Sequence, residues 1–301
     1  MSKAKAWLQA ARLRTLPLSV SGIIVGTALA GMLGYSDNLI FLLALLTTIG
    51  FQITSNFAND YGDGVKGTDN DERIGPKRAL QSGALNSREL KRGILLAITI
   101  NLILVICLLY VVFGTDYPLY LLIFGILGIL CIWAAVKYTI GSNAYGYKGM
   151  GDIFVLVFFG LVGVLGSLFL YTKTLFTEAV LPAMAIGLLS TAVLNLNNMR
   201  DLEPDRTAGK QTLAVLLGPA KARVYHFSLI LGGMLCIVVF NFYFASTFWQ
   251  WLNLLAFIPL IIHMAKVHKI NEPAKLDPEL KKIALSTFLL ALLFHFTYNF
   301  L

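Results

Sequence analysis

Apolar residues along this chain do not alternate with polar ones. They come in uninterrupted runs long enough to cross a hydrocarbon layer, which takes about 20 residues of helix. Nine such runs can be marked, at residues 17–34, 39–59, 93–113, 119–137, 153–171, 179–199, 224–245, 248–265 and 283–300. Backbone polar groups in lipid must be satisfied within their own segment, so each run is predicted to be a helix. Small residues recur within them, as Gly22, Gly26 and Ala30 and as Gly160, Gly163 and Gly166. Such stripes let helices approach closely. Short loops follow the odd-numbered runs up to the seventh, and longer polar loops follow the even-numbered ones. No domain boundary interrupts the pattern. The chain reads as an all-α integral membrane protein, with nine transmembrane helices in one bundle and a single domain over 1–301.

Composition sharpens this reading. Hydrophobic residues make up 57% of the 301 and charged residues 13%, about half the share of a soluble domain. A net charge of +8 could suggest nucleic acid in a soluble protein, but in a membrane protein it reports orientation. Of the 24 Lys and Arg residues, all but Lys173 fall in the N-terminal segment or in the four long loops and their flanks. Basic residues collect on the cytoplasmic side. The N-terminus and long loops are therefore expected in the cytoplasm and the C-terminus outside, in a plasma (inner) membrane, with the lipid bilayer and no nucleic acid as partner. Cys107, Cys131 and Cys236 lie in apolar runs without ligand spacing, which argues against disulfides and zinc. The basic, amphipathic start reads as an interfacial helix rather than a secretory leader. His226, His263, His268 and His295 show no ligand spacing either, and a packed role is expected of His295.

Two clusters carry the candidate chemistry. Asn56, Asn59, Asp60 and Asp63 end the second run; Asn197, Asn198, Asp201 and Asp205 end the sixth. On a helix, residues three and four apart share a face, so each set is expected to project together. Stacked carboxylates repel, and a hard divalent cation resolves the conflict. Oxygen ligands of this kind suit Mg²⁺, which keeps several waters and bridges carboxylates to phosphate oxygens. Basic residues follow closely: Lys66, Arg73, Lys77 and Arg78 after the first cluster, Arg206 and Lys210 after the second, with Arg200 inside it. Acids for a metal beside cations for an anion is the composition expected around a diphosphate. Solvated helix caps would explain one such cluster, but two, both at cytoplasmic ends and both with paired Asn, are less easily explained that way.

These residues resemble the UbiA-type intramembrane prenyltransferases, which have nine transmembrane helices and two Asp-rich motifs, NDxxDxxxD and DxxxDxxxG. Asn59-Asp60-x-x-Asp63 matches the start of the first, and Asp201-x-x-x-Asp205-x-x-x-Gly209 matches the second. Where the family has its next acid this chain has Gly67, and its own next acid is Asp69. Four stretches are similar to the branch acting on 1,4-dihydroxy-2-naphthoate in menaquinone synthesis. They are Ala11 to Pro17, Asn59 to Asp69, Tyr138 to Gly141 followed by Tyr145 to Asp152, and Asn198 to Gly209.

The resemblance implies transfer of a polyprenyl group from polyprenyl diphosphate to an aromatic acceptor, 1,4-dihydroxy-2-naphthoate, with loss of diphosphate and CO₂, giving demethylmenaquinone. It implies Mg²⁺ as cofactor, held by Asn59, Asp60, Asp63, Asp201 and Asp205 with Asn56, Asn197 and Asn198 in support. Lys66, Arg78, Arg200, Lys210 and Arg14 become candidate diphosphate contacts. Tyr138, Tyr145, Lys148 and Asp152 are the polar residues placed to serve the acceptor; interfacial aromatics and a charge at a helix N-terminus are the plainer readings of the tyrosines and of Asp152. A transporter would carry its acids near the bilayer midplane, where these spans have none. Sibling enzymes acting on 4-hydroxybenzoate, homogentisate, or haem or chlorophyll precursors are not separated by spacing alone.

Overall fold

The computed structural model describes residues 2–69 and 74–301; Arg73 lies outside them. The described residues form helices and turns, and nine helical segments are long and apolar enough to cross a membrane. A short helix α1 (Lys3–Ala11) leads into α2 (Leu16–Met32), α3 (Asn38–Lys66), α4 (Ser87–Phe113) and α5 (Pro118–Lys137). α6 spans Gly151–Thr172 and α7 Val180–Arg200, followed by the short α8 (Leu202–Thr207). α9 (Leu213–Phe244), α10 (Phe257–Lys269, entered through a 3₁₀ stretch from Phe248) and α11 (Asp277–Asn299) complete the chain.

Several helices outrun their apolar runs. α3 continues to Lys66, so the first acidic cluster is wholly helical, and it stops where Gly67 takes a left-handed φ of 75°, a conformation glycine adopts without steric cost. α9 begins at Leu213 and kinks where Gly218, at φ 76°, precedes Pro219. The proline has no N–H for the ladder and clashes with the preceding turn. α1 is a separate helix, as expected. Ala6, Ala10 and Ala11 are buried, and Trp7 packs edge-on to Phe57 of α3 with ring centroids 5.2 Å apart.

α2 and α7 are the most enclosed spans. α7 packs chiefly on α9 and the middle of α6, while α2 packs on α11, α6 and α3. Glycine makes these approaches possible. A Cβ on Gly22 would stand 2.7 Å from the Phe159 carbonyl, one on Gly26 2.5 Å from that of Val164, and one on Gly160 2.6 Å from that of Ala183. The expected small-residue contacts are thus present, except that Gly166 meets only its own helix. Between Leu156 and Gly166, α6 is wound as a π-helix. π-winding is rare at this length, and its short forms within α-helices are frequent at functional sites. Leu95, Ile106, Leu119, Leu122 and Ile129 remain exposed around α4 and α5, as expected of a lipid-facing surface.

The orientation can be tested by labelling. In a background lacking Cys107, Cys131 and Cys236, cysteine at Ser82 should react with an impermeant thiol reagent only from the cytoplasm and cysteine at Ser246 only from outside. The reverse pattern would invert the orientation, and same-side labelling would break the span count.

Candidate functional site

One large cavity, of about 890 Å³, enters the bundle between α2, α3, α4, α5, α6, α7 and α11. Its polar end is lined by Asn56, Asn59, Asp63, Asn197, Asn198 and Lys210, and its deep end by Phe124, Phe158, Phe159 and Leu170. A charged head and an apolar tail could share such a space.

The two motifs meet at the polar end through the loop between α5 and α6. Asp63 is 6% exposed, and its Oδ1 accepts a 2.8 Å hydrogen bond from the Tyr147 phenol. The Lys210 ammonium lies 3.6 Å from Asp205 Oδ1. Lys66 and Lys210 stand over the Tyr147 ring, 3.9 and 5.4 Å from its centroid. Burial, and then the neighbouring Asp201 and Asp63, raise the Asp205 carboxyl to about 6 against the pull of Lys210. Burial works against the Lys210 charge, but Asp63 and Asp205 outweigh it and hold its pKa above the usual lysine range. This lysine is the counter-ion of acids from both motifs.

Asn59 stays on the cavity wall, its Oδ1 accepting a 3.3 Å hydrogen bond from Thr139 Oγ1. The Asn56 amide donates to the Ala11 carbonyl at 2.8 Å and so ties the entry of α2 to α3. Asp60 does not share the face of Asp63. Its carboxylate accepts from the backbone N–H groups of Ala79 and Leu80 at 3.1 and 3.2 Å, and it faces a smaller pocket beside Arg12, Arg14, Lys77 and Arg78. Asp69 is buried, with Arg78 Nε 3.7 Å from its Oδ2. Arg14 and Arg78 line both spaces.

The second cluster is not one continuous helical face, because the chain bends at Asp201 between α7 and α8. Arg200, 1% exposed, makes a two-pronged contact with Asp201 at 2.9 and 2.6 Å. It also donates to Asn197 Oδ1 at 2.9 Å and to Asp277 of α11. It is committed to these partners rather than open to a diphosphate.

Around the acceptor candidates, Tyr138 and Tyr145 line the cavity. Tyr145 stacks on Phe154 with centroids 3.8 Å apart and donates to the Ala134 carbonyl at 2.8 Å. Burial pushes the Tyr138 phenol up to about 12 and raises Tyr145 and Tyr147 as well, so all three are neutral donors at neutral pH. Lys148 and Asp152 are not on the cavity wall. Lys148 is exposed and donates to Asn143 at 2.9 Å. Asp152 is buried and stands beside Tyr225 of α9. The loop brings tyrosines to the cavity and sends its charges elsewhere.

Sequence spacing also missed a buried chain. The Nε2 atoms of His226 and His263 are 2.9 Å apart, His263 Nδ1 is 3.0 Å from Glu279 Oε2, and Lys282 donates to the other Glu279 oxygen. Lys281, Lys282 and Asp277 line the cavity. His295 is half-buried, its ring edge-on to Phe300.

The donors at the polar end fit a magnesium ion. They are carboxylate and amide oxygens, and they stand on two sides of a space rather than forming a closed cage. That is the sparse set expected of an ion that keeps waters and takes phosphate oxygens. Among the described residues no group of three or more His, Cys, Asp or Glu is already gathered for a metal.

Comparison with known proteins agrees with this architecture. The model of the UbiA prenyltransferase family matches residues 19–298. The 1,4-dihydroxy-2-naphthoate octaprenyltransferase of Escherichia coli is 45% identical, over 98% of this chain and 95% of its own. The protein of the same name from Haemophilus influenzae is 44% identical, over 97% and 95%. Among solved structures, a UbiA homolog from Aeropyrum pernix superposes with a TM-score of 0.67 at 17% identity, over 92% of this chain and 97% of that one. A UbiA homolog from Archaeoglobus fulgidus bound to GPP and Mg²⁺ gives 0.63 at 15%, over 97% and 99%. At these identities the two structures speak for the fold.

Arg200 should prove structural. Removing one partner of a buried ion pair typically costs about 3–5 kcal/mol, so Arg200→Ala should lower the melting temperature in detergent markedly, while Lys148→Ala should leave it unchanged. An Arg200→Ala variant as stable as its parent would show that the contacts with Asp201 and Asp277 do not support the fold.

Proposed function

The chain belongs to the UbiA prenyltransferase family, and from that premise we propose that it transfers a polyprenyl group from polyprenyl diphosphate to 1,4-dihydroxy-2-naphthoate, releasing diphosphate and CO₂. The observation that carries the reading is the end-to-end similarity to two 1,4-dihydroxy-2-naphthoate octaprenyltransferases. A cavity with a charged head and an apolar tail supports it.

In this reading Asn59 and Asp63 hold Mg²⁺ from the first motif, and Asp201 and Asp205 from the second, with Asn197 and Asn198 beside them. Asp60, engaged by the 79–80 backbone, supports the motif from behind. An ion held by these residues would supply positive charge against that which builds on the leaving diphosphate. Lys210, Lys66, Arg78 and Arg14 add their positive charge at the same end. The allylic C–O bond breaks with its electron pair going to the diphosphate. Phe124, Phe154, Phe158 and Phe159 keep water from the allylic cation and offer it their ring faces. The ring carbon bearing the acceptor's carboxylate forms the new C–C bond, and CO₂ leaves with the pair of its own C–C bond returning to the ring. No proton need be taken from carbon, so protonated Tyr138 suffices as a donor to an acceptor oxygen, while Tyr145, whose proton is given to the Ala134 carbonyl, offers its ring and a phenol oxygen that accepts.

The acceptor's carboxylate needs a cation, and Lys148 does not face the cavity. Arg78 and Lys210 serve the diphosphate end in this reading. Lys282, held by buried Glu279 on the α11 wall, is the better-placed partner for that carboxylate.

Purified protein with Mg²⁺ and a polyprenyl diphosphate should prenylate 1,4-dihydroxy-2-naphthoate with loss of CO₂, as read by product mass, and should leave 4-hydroxybenzoate almost untouched. Efficient prenylation of 4-hydroxybenzoate with its carboxylate retained would move the protein to another branch. EDTA should abolish turnover and Mg²⁺ restore it. Asp63→Asn and Asp205→Asn should each lose nearly all turnover while remaining folded; near-parental activity in either would remove that residue from the ligand set.

Lys282→Gln should raise KM for the naphthoate several-fold more than KM for the prenyl diphosphate, since a lost ground-state contact shows mainly in binding. Lys148→Ala should change neither. A larger effect from Lys148→Ala would return the acceptor's carboxylate to the loop between α5 and α6.

A further inference from the structure

Tyr147 stands behind the cavity wall, in the 3₁₀ turn Tyr145–Tyr147, and no role above depends on its own chemistry. It nevertheless touches the first motif and the segment that directly follows the second. Its hydroxyl donates to Asp63 at 2.8 Å and lies 2.6 Å from Thr68 Oγ1. A phenol has one proton, and an ionised carboxylate can only accept. The Tyr147 proton therefore goes to Asp63, and the Thr68 hydroxyl donates to the phenol oxygen. The ring carries the ammonium groups of Lys66 and Lys210 at 3.9 and 5.4 Å. Its backbone carbonyl accepts from the Gln211 N–H at 3.2 Å. Asp63 and Lys66 belong to the end of α3 and Thr68 lies just past it; Lys210 and Gln211 belong to the segment after the second motif.

We infer that Tyr147 is a positioning residue that sets the two motifs against each other: its hydroxyl orients the Asp63 carboxylate, and its ring places Lys66 and Lys210 beside one shared anion. The inference rests on the reading of this end of the cavity as a magnesium–diphosphate site. The physical case has two separable halves. A carboxylate free to rotate spends part of its time in orientations that cannot ligate, and a hydrogen bond from behind removes them, as outer-shell partners of metal ligands do. Two lysines on flexible stems repel each other, and the negative face of one ring attracts both without using the donors they would give to an anion. Loss of the hydroxyl should therefore affect the metal, and loss of the ring should affect the anion as well.

The test uses the full chain in detergent with two direct probes: Mn²⁺ binding followed by electron paramagnetic resonance, and binding of inorganic diphosphate without metal followed by calorimetry. Tyr147→Phe keeps the ring and removes the hydroxyl. It should weaken Mn²⁺ binding about 10- to 100-fold, leave diphosphate binding within about twofold, and regain turnover in excess Mg²⁺. Tyr147→Leu should weaken both probes about tenfold or more, and excess Mg²⁺ should not restore it. Unchanged Mn²⁺ affinity in Tyr147→Phe would overturn the inference. So would equal loss of both probes in the two variants together with an equal fall in melting temperature, since that is what packing alone would give. Both probes are independent of the acceptor. A parent protein that binds Mn²⁺ but does not prenylate the naphthoate would sink the acceptor reading and leave this one standing. A parent that binds no Mn²⁺ would sink the metal reading and this inference together.

Discussion

Everything at the polar end of this protein follows from the cost of burying carboxylates. An ionised acid removed from water must find an opposite charge or several donors, or it neutralises itself. Each acid of the two motifs has found its own compensation. Asp60 has two backbone N–H groups, Asp63 has the Tyr147 phenol, Asp201 has Arg200, and Asp205 has Lys210. The compensation is graded. Backbone amides and a buried arginine are fixtures, whereas a phenol and a lysine on a long stem can be displaced at little structural cost. Asp63 and Asp205 are therefore the carboxylates most available to a cation, and both act on the same ammonium, that of Lys210.

A polar site of this kind needs a wall that keeps water out of its far side, and the bundle builds that wall from backbone proximity. Gly22, Gly26, Gly160 and Gly187 bring α2 and α7 against α6 so closely that a Cβ at any of them would meet backbone atoms of the facing segment. The π-wound stretch of α6 lies between these contacts and presents Phe158, Phe159 and Val162 to the cavity. Three aromatics, Trp133, Tyr145 and Phe154, then stack in sequence beside it, joining the apolar tail to the polar loop.

Parts of this were legible in the residues and parts were not, for physical reasons. Membrane spans could be read because their length is dictated by the bilayer, and the motifs because stacked acids at i, i+3 and i+4 are costly without a cation. The helical period sorts residues onto a face only coarsely, so it could not separate Asp63 from Asp60, which the turn at Ala79 and Leu80 claims. Nor could it foresee the bend at Asp201. A basic residue just after two tyrosines made Lys148 a natural partner for an anion, but the loop's tight turn sends its side chain outward to Asn143. Tyr147 went unnoticed beside Tyr145, because nothing local distinguishes a tyrosine that stacks from one that bridges two distant motifs. His226, His263 and Glu279 are brought together only by packing α9, α10 and α11, and separations of 37 and 16 residues leave no pattern to find.

The first turn of α11 ties these threads into one mechanical unit. Asp277 reaches Arg200 and through it Asp201, while Glu279, one turn face away, reaches His263 and then His226. Hydrogen bonds from one short turn thus fasten the second motif on α7 to the buried histidines of α9 and α10. The same end of α11 puts Asp277, Lys281 and Lys282 on the cavity wall. A rigid-body shift of α11 would therefore move a cavity cation and strain the Arg200–Asp201 pair at the same time. Polar contacts in a low-dielectric interior are strong when complete and expensive when broken, so the turn is held in register by the same charges it presents to the cavity. Position and charge at this wall are consequently one constraint.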